Sequence, residues 1–326
     1  MNKPRTFLSC DWGTSSFRIR LINAETGEVL KSHEDSEGTL STYKKWQAAG
    51  LEADKRFDFY LAVIAPKVAD WFSTFSPSKL LISGMASSSI GMADIPYAKI
   101  PFPLDGSGVS FGEFKKEMNG PLLSITLVSG VCSEDDVIRG EETIILGCQF
   151  DENATVILPG THSKHALIRN GIMTGFQTFM TGELFDLLRK HSVLENSVLK
   201  PERLNFKHPA FSEGVQLGAR SDLFQNLFKV RTRAILEGRN AENGYYFLSG
   251  LLIGSELSSV VSDNEEIILI AGENTLEPYT EALQSLGHSF KVQMADKSLI
   301  TGHMKLLDSL EQSHKKNGRS LPSLIH

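Results

Sequence analysis

At 326 residues the chain is long for a single hydrophobic core and suits two packed domains. Hydrophobic residues make up 41% and charged residues 22%, an ordinary composition for a globular enzyme. The formal net charge of -6, without a basic tail or a Lys/Arg stripe, argues against nucleic acid as the main partner, because backbone binding needs concentrated positive charge. No stretch approaches the roughly 20 apolar residues of a membrane helix. No signal-like apolar run follows Met1, so no membrane partner and a cytoplasmic location are expected. Cys10, Cys132 and Cys148 are widely spaced and read as buried free thiols, and no Cys/His cluster suggests a metal cage.

The chain opens with an apolar run at 7–13, a Thr14-Ser15-Ser16 corner and an alternating run at 17–22. Turn chemistry at 23–28 leads to a third strand at 29–33, which predicts an antiparallel meander. A helix is predicted over 61–72, with Leu61, Ile64, Val68, Trp71 and Phe72 on one face. Residues 79–84 and 124–130 read as buried parallel strands. The Pro-, Gly- and Ser-rich stretch between them, 85–120, reads as a substrate-side loop or lid. The opening pattern then recurs: strands at 155–160, 164–169 and 172–177, with Asn170-Gly171 as a hairpin signal. Helices at 181–191, 211–227 and 245–261 follow, then a strand at 266–272, a helix at 277–286, a strand at 290–293 and a helix at 298–310. Gly250 and Gly254, four residues apart, read as a close helix contact. From residue 312 the tail is polar. One architectural unit used twice, divided near Asn153 into 1–153 and 154–326, is the predicted α/β organisation.

The first turns of the two meanders, Asp11-Trp12-Gly13-Thr14-Ser15-Ser16 and Pro159-Gly160-Thr161-His162-Ser163-Lys164, share Gly and hydroxyl residues. Such corners present N–H and hydroxyl groups suited to phosphate. Asp11 ends a buried strand, where a carboxylate either holds Mg²⁺ through water or caps its own turn. Lys164 either neutralises phosphate or is an ordinary edge-strand lysine. After the strand at 124–130 come Glu134, Asp135 and Asp136, then a helix predicted over 137–146. Acidic residues there suit the helix dipole or supply a general base, with Asp136 the first choice and Asp135 the second. Arg139 could fork onto a substrate carboxylate or pair with Glu134, Asp135 or Glu142. Gly272, ahead of Glu273-Asn274, lets a flat ring approach the backbone or simply turns the chain into a helix.

Asp11-Trp12-Gly13-Thr14-Ser15, Pro159-Gly160-Thr161-His162 and Ala271-Gly272 resemble the two phosphate motifs and the adenosine motif of the actin and sugar-kinase superfamily. The chain is more closely similar to the 2-dehydro-3-deoxygalactonokinase family. That likeness is carried by Met85-Ala86-Ser87-Ser88-Ser89-Ile90-Gly91, Ile138-Arg139-Gly140-Glu141-Glu142-Thr143, Leu158-Pro159-Gly160-Thr161-His162-Ser163-Lys164, Met180-Thr181-Gly182-Glu183-Leu184 and the run 247–254. The resemblance implies two ribonuclease-H-like, actin-like domains flanking a nucleotide cleft. It further implies transfer of the ATP γ-phosphoryl to the 6-hydroxyl of 2-dehydro-3-deoxy-D-galactonate, ahead of an aldolase step in galactonate breakdown, with Mg²⁺ as cofactor. On this reading Asp11, Gly13, Thr14, Ser15, Gly160, Thr161, His162, Ser163, Gly272, Glu273 and Asn274 bind nucleotide. Met85, Ala86, Ser87, Ser88, Arg139, Glu142 and Glu183, with the stretch 101–104, face the sugar acid, and a homodimer is compatible. His165 stands where an aromatic such as Trp is expected. Kinases of related acids such as 2-dehydro-3-deoxygluconate share this pattern. A non-catalytic sensor on the same fold would lack the base or carry a DNA-binding appendage.

Overall fold

The computed structural model describes residues 4–220, 222–260 and 265–317, side chains of 313–317 excepted. The expected end of a helix at Val261, the first three residues and the tail beyond 317 lie outside the described residues. The chain forms two compact units, Met1–Cys148 with Asp296–His326, and Gln149–Ala295.

Unit 1 begins with β1 (Thr6–Trp12), β2 (Phe17–Asn23) and β3 (Val29–Asp35), an antiparallel meander. Helix α1 (Thr39–Ala48) follows, then α2 (Arg56–Ile64) and α3 (Ala69–Thr74). The single helix predicted over 61–72 is broken because Pro66 lacks a backbone N–H; a 3₁₀ turn, Ala65–Lys67, takes its place. Strand β4 (Lys79–Gly84) lies parallel to β1. The stretch expected to be irregular contains short β5 (Ala98–Lys99) and β6 (Phe102–Pro103), and a full strand, β7 (Phe111–Glu117), antiparallel to β8 (Leu122–Val128). Residues Val131–Cys132 (β9) and Val137–Ile138 (β10) pair as a hairpin, so the helix expected from Val137 starts only at α4 (Glu141–Leu146). The sheet order is β3-β2-β1-β4-β8-β7, and Leu8, Cys10, Trp12, Ile19, Leu80, Ile82 and Ile125 share its core.

Unit 2 repeats the plan. Strands β11 (Asn153–Leu158), β12 (Ser163–Arg169) and β13 (Ile172–Phe179) form the meander, followed by α5 (Thr181–His191), α6 (Pro209–Arg220), α7 (Leu223–Leu227), α8 (Lys229–Leu236) and α9 (Ala241–Leu257). The helix expected over 211–227 is two helices, because the Asp222 side chain accepts the Phe224 N–H and caps a new start. Strand β14 (Glu266–Ala271), helix α10 (Glu273–Ser285) and strand β15 (Lys291–Met294) complete the unit. Its strands run in the order β15-β14-β11-β12-β13, with β14 parallel to β11 and to β15. Each unit thus has an antiparallel meander whose first strand continues into two parallel strands, the ribonuclease-H-like topology. Helices α6 and α9 touch backbone to backbone at glycines: a Cβ on Gly250 would lie 2.1 Å from the Phe211 carbonyl oxygen, and one on Gly218 2.1 Å from that of Leu251. The pair Gly250 and Gly254 is a helix contact.

The last helix, α11 (Ala295–Asn317), differs from the expected division at 154–326, because from Asp296 it belongs to unit 1. Leu299, Ile300, Leu306, Leu307 and Leu310 are buried along it. His303, fully buried, bonds through Nδ1 to Ser9 Oγ (2.7 Å) and through Nε2 to Ser83 Oγ (2.8 Å). Gly302 meets the Thr143 carbonyl so closely that a Cβ would sit 2.0 Å from it.

Candidate active site

The β1–β2 corner is closed by the Gly13 N–H donating to the Ser16 carbonyl at 2.9 Å. The Gly13 and Thr14 carbonyls accept from the Thr39 and Leu40 N–H groups, the first of α1. Gly38 permits this approach, since a Cβ there would lie 2.2 Å from the Thr14 carbonyl oxygen. Trp12, buried against Phe17 and Tyr60, ties the same segment down by donating Nε1–H to the Glu37 carbonyl (2.9 Å). With its carbonyls satisfied by the helix, the corner exposes Thr14 and Ser15.

Asp11 is opposite Arg18 on β2 and beside Ser83 on β4, with Arg18 Nη1 3.4 Å from its Oδ2. Burial pushes its carboxyl above the usual carboxylate range, Arg18 and Arg20 pull it down, and the charges of Asp296 and Glu141 push it up again. Gly84 (φ +90°) and Gly140 (φ +105°) bring two chain segments alongside: a Cβ on Gly84 would be 3.5 Å from Asp11 Oδ1, and one on Gly140 3.2 Å from the Gly84 Cα. The N-terminus of α4, with Glu141, therefore meets the Asp11 end of the sheet. Sequence reasoning overlooked Glu141 as a separate candidate; its place in Arg139-Gly140-Glu141-Glu142 was the available signal.

Asp135 and Asp136 occupy the tip of the β9–β10 hairpin. The Asp136 N–H donates to Ser133 Oγ (2.9 Å), and its Oδ1 accepts from the Val137 N–H (2.7 Å). Glu142, expected to face substrate, is instead buried: its carboxylate accepts from the Gly140 N–H (2.6 Å) and Thr143 Oγ (2.9 Å) and braces the start of α4. Burial, with the Glu141 charge beside it, pushes its pKa up to about 7. Arg139 also differs from an open fork. Its Nη1 donates to the carbonyl and, at 2.8 Å, to Oγ of Ser87, its Nε donates to Tyr97 OH, and its guanidinium stacks 4.2 Å from the Tyr97 ring. It pins the Met85–Ser87 turn, in which Ala86 and Ser87 are fully buried and Ser88 nearly so. Of the four residues expected to face substrate here, Met85 alone is half-buried.

In unit 2 the β11–β12 corner is braced in the same way. The Glu183 N–H, in the first turn of α5, donates to the Thr161 carbonyl (3.0 Å), and Gly182 approaches so closely that a Cβ would lie 2.6 Å from the Gly160 carbonyl oxygen. His162 Nε2 and the Glu183 carboxylate meet at 2.5 Å. Thr161 and His162 are exposed, whereas Ser163 is fully buried. The Ser163 hydroxyl bonds to Tyr279 OH (2.9 Å) and to the Gly160 N–H (3.4 Å), so it shapes the turn from inside, a correction to its expected phosphate contact. Lys164 is buried, its Nζ donating to the His162 carbonyl at 2.8 Å. Gly272, Glu273 and Asn274 are exposed at the start of α10, and nothing lies within 4 Å of where a Gly272 Cβ would be. Among the described residues, no group of three or more His, Cys, Asp or Glu is arranged for a metal, and no helix is long and apolar enough to cross a membrane.

Two units of this topology, each with a hydroxyl-rich corner braced by a helix start, define a protein of the ribonuclease-H-like, actin-like class. A profile of the 2-keto-3-deoxy-galactonokinase family matches residues 11–306, and the chain belongs to that family. It is 29% identical over 313 residues to a Rhizobium meliloti (strain 1021) protein named as a probable 2-dehydro-3-deoxygalactonokinase, covering 91% of this chain and 94% of that one. It is 28% identical over 305 residues to the 2-dehydro-3-deoxygalactonokinase of Escherichia coli (strain K12), covering 91% and 95%. A crystal structure of a Sinorhizobium meliloti protein assigned as a 2-dehydro-3-deoxygalactonokinase superposes with a TM-score of 0.77 at 28% identity, over 93% of this chain and 99% of that one.

Proposed function

We propose that the protein transfers the γ-phosphoryl of ATP to the 6-hydroxyl of 2-dehydro-3-deoxy-D-galactonate, yielding ADP and the 6-phosphate within galactonate breakdown. The observation that carries this is the duplicated corner, braced twice by a helix start over a glycine, in a chain of the 2-keto-3-deoxy-galactonokinase family. Thr14, Ser15 and the N–H groups around Gly13 would contact phosphate from unit 1. Thr161, His162 and the N–H groups around Gly160 would do so from unit 2, with Lys164 adding positive charge. Gly272, Glu273 and Asn274 offer an open start of α10 to the adenosine. Asp11, at the end of β1 where Gly84 and Gly140 bring two chain segments alongside, is the residue that would hold a hydrated cation. Bound there, Mg²⁺ would neutralise phosphate charge.

The proton of the attacking 6-hydroxyl needs an acceptor. Asp136 is the first assignment. Glu141 is a second, favoured by its electrostatic contact with Asp11. Arg139 would act by holding the Met85–Ser87 turn in place for the sugar acid. The deciding experiment is ADP release by the purified protein with Mg·ATP against 2-dehydro-3-deoxygalactonate, its gluconate epimer and plain hexoses. Turnover confined to the galactonate acid is expected. Preference for the gluconate epimer or a hexose would reassign the substrate, and none on any would refute the kinase mechanism.

A further inference from the structure

Behind the second corner lies a buried carboxylate that no nucleotide contact explains. Glu256, the penultimate residue of α9, is 3% exposed and receives three hydrogen bonds. His165 Nε2 is 3.0 Å from its Oε1; Tyr279 OH, at 2.7 Å, and Thr181 Oγ1 both reach its Oε2. In its ionised form this carboxylate only accepts, so all three partners then donate, and that sets the direction of the bonds beyond them. Tyr279 gives its proton to Glu256 and must therefore accept from Ser163 Oγ–H, 2.9 Å away. Ser163, its proton used, is left to accept the Gly160 N–H. A single relay runs from the Gly160 N–H through Ser163 and Tyr279 to Glu256. Burial, then the Glu256 charge, pushes the Tyr279 phenol well above its ordinary value, which keeps it a donor.

The three donors also stand on the elements that frame the corner. Thr181 opens α5, whose next residues, Gly182 and Glu183, lie on the Gly160 and Thr161 carbonyls. Tyr279 belongs to α10, which starts at the exposed Gly272 turn. His165 is on β12, next to Lys164, its ring 4.5 Å from Phe179. Three segments, β12, α5 and α10, thus converge on one side chain of α9, while the Gly160 N–H points inward to Ser163 and the corner's tip, Thr161 and His162, faces out.

We propose that Glu256 is the positioning residue of the second phosphate corner: through Tyr279, Thr181 and His165 its carboxylate sets the main-chain orientation in which residues 160–163 meet a nucleotide phosphate. The inference rests on the reading of that corner as a phosphate contact.

The test uses the full-length protein in steady-state kinetics with Mg·ATP and 2-dehydro-3-deoxygalactonate, each varied separately, alongside thermal melting. Tyr279→Phe keeps the ring and removes the relay's middle hydroxyl; Glu256→Gln keeps the shape and disturbs the acceptor. Both are expected to raise the KM for ATP about five- to twentyfold, the effect of one lost buried hydrogen bond, with the sugar-acid KM unchanged. The double variant is expected to be little worse than the more affected single one, because both act on one relay. Thr161→Ala tests the corner independently: an unchanged KM for ATP there would sink the phosphate reading itself. If Thr161→Ala raises that KM while folded Tyr279→Phe and Glu256→Gln do not, the corner stands and the positioning role is overturned. Equal rises in both KM values with a lowered melting temperature would mean general loosening and would overturn it too.

Discussion

Two acidic residues of unit 1, one in the β9–β10 hairpin and one at the start of α4, invite different proton-transfer assignments. Asp136 sits in a hairpin tip and accepts the Val137 N–H; Glu141, at a helix start within electrostatic reach of Asp11, accepts the Arg139 N–H at 2.9 Å. Removing a general base typically costs about 10²–10⁴ in rate. If Asp136 is the base, Asp136→Asn will lower kcat by at least about 10² with ATP binding intact in a fluorescence titration, and Glu141→Gln will not. The reverse pattern would transfer the role to Glu141. Glu142 makes a separate, pH-dependent prediction. Its pKa is raised from 4.5 to about 7 in the folded protein, so on raising the pH the unfolded chain loses this proton first. Its contribution to stability is complete below about 4.5 and is lost as pH climbs through about 7. Buried His303, lowered to about 3, has the opposite slope, losing stability as pH falls below about 6.5. Melting curves of wild type and Glu142→Gln between those limits should converge or cross as pH rises, the variant gaining relative to wild type; parallel curves would contradict this.

At the scale of the element, both corners depend on a helix start pressed onto a strand turn, and glycine makes the contact possible. Gly38→Ala and Gly182→Ala would place a methyl 2.2 Å and 2.6 Å from a carbonyl oxygen. Each is expected to raise the KM for ATP about tenfold or more, because overpacking of about 1–3 kcal/mol must displace the corner itself. An unchanged KM in either would separate that corner from nucleotide binding. The α6–α9 glycines differ, lying between two helices in the core of unit 2 rather than at a strand turn. Gly254→Ala should cost about 1–3 kcal/mol in urea unfolding; an unchanged unfolding midpoint would show that the close helix contact there is not needed. The two meanders and the corner residues were legible in the sequence because strand alternation and turn chemistry act over a few residues. Helix α1 was missed: Gly38 caps it without a side chain, and its buried face is only Thr39 and Thr42, so no apolar stripe announces it. The break at Pro66 was present in the sequence and was overridden by the apolar spacing around it.

At the scale of the whole molecule, the chain returns to unit 1 after completing unit 2. Trp12, Trp46 and Trp71 all belong to unit 1, so tryptophan emission reports on that unit alone. Ending the chain at Ala295 removes His303 and the buried leucines of α11, taking the imidazole from both Ser9 and Ser83 and leaving the Ser83 hydroxyl with Thr143 Oγ1. Such a truncation should red-shift the emission to that of solvated tryptophan; a native spectrum would show that α11 is dispensable to unit 1. The doubled architecture, the hydroxyl-rich corners and the kinase family were readable from the linear chain, since each rests on neighbours in sequence. The partners of Glu256, His303 and Ser163 were decided only by the tertiary structure. Their hydrogen bonds join residues up to 294 positions apart, and whether a serine faces a phosphate or a buried tyrosine depends on what packs behind it.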